Sequence, residues 1–157
     1  SELLPSSIAD RVSLSFTSSI DKSTASSDAT ADKAGSVSFV VNICAAAVAD
    51  GKAQAAIIDV ANPTFAFDGE GKVTNAAFDG TKRELGDKYG MVAYAGAKHE
   101  WYEQSANFCE FIKGMTAAQI AAIEMNDAGK PTDADLTAGC TIAIGDFIKV
   151  AEKALKA

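Results

Sequence analysis

The residues of this chain best equipped to bind or react lie in the stretch Leu136-Thr-Ala-Gly-Cys-Thr-Ile142, which sets two hydroxyls, a glycine and a thiol just ahead of a helical pattern. Backbone N–H groups at a helix start, joined by the Thr137 and Thr141 hydroxyls and by the close approach that Gly139 permits, make the kind of turn that holds a phosphate. The same residues also serve a plainer need, with Thr141 as a helix N-cap and Gly139 as the source of a backbone angle. Cys140 offers a second chemistry. A thiol at a helix N-terminus feels the positive end of the dipole, which lowers its pKa and favours a redox-active thiolate. Asp133 and Asp135 are close together, but no histidine partners them. They read as helix-approach charges or as oxygens of a calcium-like kind, and no hydrolytic constellation emerges. His99, the one histidine, sits between Lys98 and Glu100 and reads as solvated.

The elements that must position this turn are legible from periodicity. Val12 to Ile20 alternates apolar and hydroxyl residues, the period of a strand with one wet face. Asp21 to Gly35 is small and polar and reads mostly as loop. Ser36 to Val48 and Ala53 to Ala61 are β-leaning runs about Asp50-Gly51, a pair that favours a two-residue hairpin turn. Thr64 to Phe67 resumes the alternation after Asn62-Pro63, and a further run from Lys72 follows the turn at Asp68-Gly69, so the first half reads as a meander of hairpins. Beyond Gly80 the period changes to that of helices. Trp101, Ser105, Phe108 and Ile112 form one apolar stripe that ends at Gly114. Thr116 and Gln119 match a capping box and predict a short helix through Met125. Ile144, Phe147, Ile148, Ala151 and Leu155 make the apolar face of an amphipathic terminal helix.

Composition bounds the function. A chain of 157 residues, 48% hydrophobic and 22% charged, is suited to one globular domain. With 21 acidic against 14 basic residues and a net charge of −7, it lacks the basic surface that nucleic acid requires. No apolar run approaches the roughly 20 residues of a membrane span. The opening SELLPSS lacks a methionine, which predicts a trimmed product whose export signal or lipid anchor has been removed, so that any membrane contact runs through that anchor. Cys44, Cys109 and Cys140 are too widely spaced for a metal cluster and read as small buried hydrophobes.

The stretch from Asp135 to Ala143 resembles, without gaps, the motif of the FMN-binding domain family, roughly D-A-V-[ST]-G-A-T-x-[ST]. Thr81 to Met91, Glu100 to Gln104 and Pro131 to Ala138 are similar to stretches of uncharacterised exported lipoproteins of Gram-positive anaerobes, distant relatives of that family. The likeness covers residues 36–157, with 1–35 left as an N-terminal strand and polar connection within a single domain. The resemblance implies an α+β fold: a twisted antiparallel sheet with C-terminal helices packed on one face. It also implies non-covalent FMN held by Asp135, Thr137, Gly139, Cys140 and Thr141. Tyr102 and Tyr89 are the candidate walls for the flavin ring, while Trp101, on the apolar stripe, belongs to the core. The family's covalent flavin is esterified two positions beyond Thr141, where this chain has Ala143, which has no oxygen to bond. Ala138 stands where the family has a hydroxyl, and Cys140 where it has alanine.

Two readings of function follow. In one, the chain is an exported or surface-anchored FMN-binding-like protein serving extracellular electron transfer. In the other, it is a self-assembling extracellular subunit without a cofactor, pairing with its own kind by exchange of the N-terminal strand.

Overall fold

A computed structural model describes residues 9–21 and 26–157. Five strands form one antiparallel sheet: β1 (Arg11–Asp21), β2 (Gly35–Ala49), β3 (Lys52–Ala61), β4 (Thr64–Phe67) and β5 (Val73–Ala77). The helices follow as α1 (Lys82–Leu85), α2 (Met91–Ala95), α3 (Trp101–Phe111), α4 (Ala117–Ala121), α5 (Ala134–Thr137) and α6 (Gly145–Lys156), with a 3-10 turn over Gly86–Tyr89. The architecture is α+β, as expected. Residues 1–8 of the N-terminal run and 22–25 of the polar connection lie outside the described residues.

The long strand β2 organises the sheet. β1 pairs with one of its edges from Arg11↔Val48 to Asp21↔Ser38. On the other edge β3 and β4 lie end to end in one register, Val41↔Ala61 continuing to Ser38↔Thr64. The break between them falls at Pro63, which has no N–H to give. Its carbonyl still accepts from Phe39 N–H at 3.0 Å, so the ladder carries across. The meander is therefore two hairpins, β2–β3 and β4–β5, sharing one edge of a central strand. At the first turn Asp50 and Gly51 have φ of 50° and 70°, the positive values that this dipeptide favours.

One face of the sheet carries the helices. Cys44, Ala46 and Val48 of β2 and Ile58 and Val60 of β3 pack with Trp101 and Phe108 of α3, Ile112 at its C-terminal cap, and Phe147, Val150 and Ala151 of α6. The Trp101 and Phe147 rings meet edge to face at 5.5 Å, the arrangement that aromatic quadrupoles favour. The helix predicted to run through Met125 is shorter. It stops at Ala121, because Met125 bridges to Pro131 and the chain turns back there.

The wet face of β1 is the reverse of the usual one. Ser13 and Ser15 are buried against α6, while Val12, Leu14 and Phe16 are 78%, 71% and 59% exposed on the face that no helix covers. The Ser15 hydroxyl donates to the Val150 carbonyl at 2.6 Å. Arg11 donates to the Leu155 carbonyl at 2.6 Å and to that of Ala154 at 3.5 Å. Those last two carbonyls belong to the final turn of α6, where no intrahelical partner exists and a cation is favoured.

Candidate functional site

Two of the stretches that carried the resemblance, Thr81 to Met91 and Glu100 to Gln104, meet at the N-terminal end of α3, and the motif turn reaches it through Thr141. Glu100 stands just ahead of that helix, and its carboxylate accepts from the N–H groups of Met91 and Val92, each at 2.9 Å, filling the start of α2. Glu103 closes back on Glu100 N–H at 2.8 Å. The Tyr102 hydroxyl donates to Asp87 at 3.2 Å, and this hydrogen bond to the carboxylate raises the phenol's pKa above its ordinary value. Lys82 lies over the rings of Tyr89 and Trp101, 4.9 Å and 5.3 Å from their centroids. Arg83 reaches inward from α1, where its Nε donates to the Ile58 carbonyl at 2.6 Å and its Nη2 to the Ser105 hydroxyl at 3.2 Å.

Gln104 is the hub. Fully buried, it accepts at Oε1 from Thr141 N–H at 2.8 Å and from the Thr141 hydroxyl at 3.3 Å. Its Nε2 donates to the His99 carbonyl at 3.0 Å. This one side chain fastens the turn ahead of α6 to the start of α3.

The seven residues expected to hold FMN are only partly brought together. Gly139 packs so closely on α3 that a Cβ there would lie 2.4 Å from Asn107 Cγ, which gives the glycine a packing role. Asp135 is in the first turn of α5, whose N-cap is Asp133. The Thr137 hydroxyl donates to the Ala134 carbonyl at 3.0 Å. Thr141 is not the cap of α6, since the capping position is Ile144 and carries no side-chain bond. Tyr102 lies on the flank of α3 opposite Gln104 and Asn107, as two positions on a 3.6-residue helix must. It lines a cleft of about 460 Å3 with Asp87, Val92, Ala93, Glu100 and Glu103, apart from the turn. Tyr89 borders a different cleft, of about 200 Å3, with Phe78, Asn62 and Lys82.

The expectation of a reactive Cys140 is corrected. The residue is fully buried, and desolvation pushes its thiol from the ordinary 9.0 up to about 11. Burial likewise pushes Cys109 to about 11 and Cys44 to about 12, and all three are free. They are core residues, as expected of small hydrophobes. Among the described residues no cluster of three or more histidine, cysteine or acidic side chains could hold a metal ion.

The residues present do not fit a flavin phosphate as they stand. Both donors of Thr141 are spent on Gln104, and the N–H groups of Gly139 and Cys140 go to the Leu136 carbonyl. Every charged residue from 131 to 148 is acidic, so nothing on the turn offsets a dianion. The sequence reading missed Gln104 and Glu100. A polar residue four before Phe108, beside the apolar stripe, was the available signal for Gln104. Glu100 gave none, because the N–H groups it caps belong to a helix of five residues without apolar periodicity.

Fold and site together define a small α+β protein with one helix-covered sheet face, one open face, and a turn from Gly139 to Thr141 fastened to α3. Among curated proteins, a chlorophenol reductase of Desulfitobacterium hafniense is 48% identical over 40 residues, a segment that makes up 26% of this chain. The chain spans 12% of the length of that protein. No family model and no solved structure matches.

Proposed function

We propose that this chain is an association module of the cell exterior, built on an FMN-binding-like architecture and working through contacts of its open sheet face. The observation that carries this reading is the exposure of Val12, Leu14, Phe16 and Ile57 together on one face of the sheet. An apolar patch of this kind, larger than scattered surface hydrophobes, marks an interaction surface. The exterior location is supported by the likeness to exported lipoproteins, and the net charge of −7 keeps nucleic acid off the partner list. The overlap with the reductase is too short to lend this chain that protein's activity.

A second reading keeps FMN at the turn, bound non-covalently for extracellular electron transfer. What favours it is that Gln104, the last residue of the Glu100–Gln104 stretch, holds Thr141 of the FMN-binding-like motif. It requires Gln104 to release Thr141, and the chemistry would then be that of the flavin, one- and two-electron transfer.

Two titrations separate the readings, one of dye against dilute chain at about 0.5 μM and one of FMN against increasing chain. Association predicts that anilinonaphthalene sulfonate fluoresces on the wild type, that Leu14→Lys abolishes the signal, and that flavin fluorescence is unquenched by the chain at about 100 μM. Saturable quenching of FMN weakened by Thr141→Ala, with no dye signal from the wild type, establishes the second reading instead.

A further inference from the structure

We propose that the open face pairs with the same face of a second copy of this chain, the two related by a twofold axis that lies between the sheets and crosses the strands near Ile43. This inference rests on the association reading and names its partner.

The open face has the extent that a stable dimer needs. Its rows run from Val12, Ala47 and Ala55 at one end to Ile20 and Phe39 and then Val37 and Phe65 at the other. Ten residues at ~3.3 Å by three strands at ~4.8 Å make about 500 Å2 in plan for each copy. Two such faces bury on the order of 1,000 Å2, and side-chain relief adds to that, which clears the threshold for a specific interface.

The relief of the face is self-complementary. Ala45 and Ala47 of β2 form a valley between a ridge of Val12 and Leu14 on β1 and Ile57 on β3. At the other end Phe39 and Phe65 stand as an edge-to-face pair, centroids 6.0 Å apart. An axis crossing the strands near Ile43 exchanges the two ends, so the partner's Phe39 enters the alanine valley, and the reverse contact forms by symmetry. Sheets packed face to face about 10 Å apart interdigitate in this manner.

Charge selects against other occupants. Across β1, β2 and β3 the ionisable residues on this face are Lys52, opposite Ala49 at the hairpin end, and Asp59, whose Oδ1 is taken by Val60 N–H at 2.8 Å and Arg83 N–H at 3.1 Å. A chain of net charge −7 is repelled by an anionic bilayer. Pairing through the β1 edge, the route of strand exchange, is opposed by Lys153, whose ammonium takes the Phe16 carbonyl at 2.8 Å and lies over the Phe16 ring. Lysine on an edge strand discourages added strands.

Sedimentation equilibrium of the whole chain from about 1 to about 100 μM tests this, at about 50 mM and about 500 mM salt. The wild type is expected to be a dimer that strengthens with salt, since the copies carry like net charge and each brings an Asp59 carboxylate to the row where the axis crosses. Leu14→Lys, at a side chain exposed in the single copy, weakens it by at least about 100-fold, because each change counts twice. Ala47→Phe fills the valley and weakens it comparably, although it adds apolar area; Tyr94→Lys, off the face and 89% exposed, leaves it unchanged. A dimer that Ala47→Phe strengthens, or that Leu14→Lys spares, overturns the proposal. So does a monomer at every concentration, whether it floats with phosphatidylcholine vesicles or not. A monomer that still binds the dye refutes self-pairing alone, and a monomer that does not bind it refutes the association reading as well.

Discussion

Replacing Gln104 by alanine tests whether the turn ahead of α6 is held as described. The side chain makes two well-formed hydrogen bonds, from Thr141 N–H at 2.8 Å and to the His99 carbonyl at 3.0 Å. Each is worth about 1 kcal/mol net, and stranding a partner costs about 1–3 kcal/mol when water cannot replace the lost group. Thr141 is exposed, so water recovers part of its loss, whereas removing the amide leaves a space in the core beside α3. The sum is about 2–4 kcal/mol, which for a domain of this size lowers Tm by roughly 5–15 °C. Urea unfolding gives the free energy, and hydrogen exchange at the Thr141 amide gives its local origin. Gln104→Glu is expected to fare no better than alanine at neutral pH, since it keeps the acceptor but turns a carboxylate oxygen on the His99 carbonyl. A loss below about 0.5 kcal/mol with unchanged Thr141 exchange refutes the account. The variant also bears on flavin: if Gln104 is what closes the turn, Gln104→Ala frees both Thr141 donors, and any FMN affinity rises.

Two further predictions follow from burial and close approach. The thiols of Cys44, Cys109 and Cys140 are raised from 9.0 to about 12, 11 and 11, so the folded state keeps protons that the unfolded chain gives up. Their contribution is full below about pH 9 and is lost as pH rises toward 11–12, by up to ~1.4 kcal/mol per pH unit for each thiol. Urea unfolding at pH 8 and pH 10 should show that Cys140→Ser flattens this decline, and the native chain should leave a thiol reagent unreacted at pH 8; rapid labelling of the folded protein contradicts the burial. For Gly139→Ala, the new Cβ displaces the Asn107 amide, which donates to the Glu103 carbonyl at 3.0 Å and that of Gly139 at 3.2 Å. The loss is about 1–2 kcal/mol and nearly vanishes in an Asn107→Ala background; strict additivity of the two changes would show that they do not meet.

What could be read in the sequence was what is decided locally. The Asp50-Gly51 turn depends on two backbone angles, and the Thr116 capping box on one turn of helix, so both appear as expected. The stripe of Trp101, Phe108 and Ile112 is buried because a helix of that length has only one side to hide. Where long-range pairing decides, local signals fell short. Pro63 looks like punctuation, but a carbonyl suffices to carry the edge past it. The motif around Thr141 reads as a set of free donors because the sequence does not show that Gln104, 37 residues earlier, takes them. Tyr102 and Tyr89 read as walls of one site, and the path of the chain puts them on separate clefts.

The orientation of β1 ties these threads together. Its alternation is compatible with either face, and moving the pairing by one residue would turn every side chain over. Putting Val12, Leu14 and Phe16 against α6 would gain about 1.5–3 kcal/mol for each side chain fully buried. Against that, Arg11 and Ser15 would lose the carbonyls of Leu155 and Val150, and Lys153 would lose Phe16. Three hydrogen bonds at about 1 kcal/mol each, those of Arg11 and Lys153 somewhat more, do not by themselves outweigh three buried hydrophobes. The observed register is better balanced once the outward row is also withdrawn from water. The proposed partner on the open face would supply that burial without disturbing the bonds to α6, and on that proposal the polar row inside and the apolar row outside belong to one arrangement.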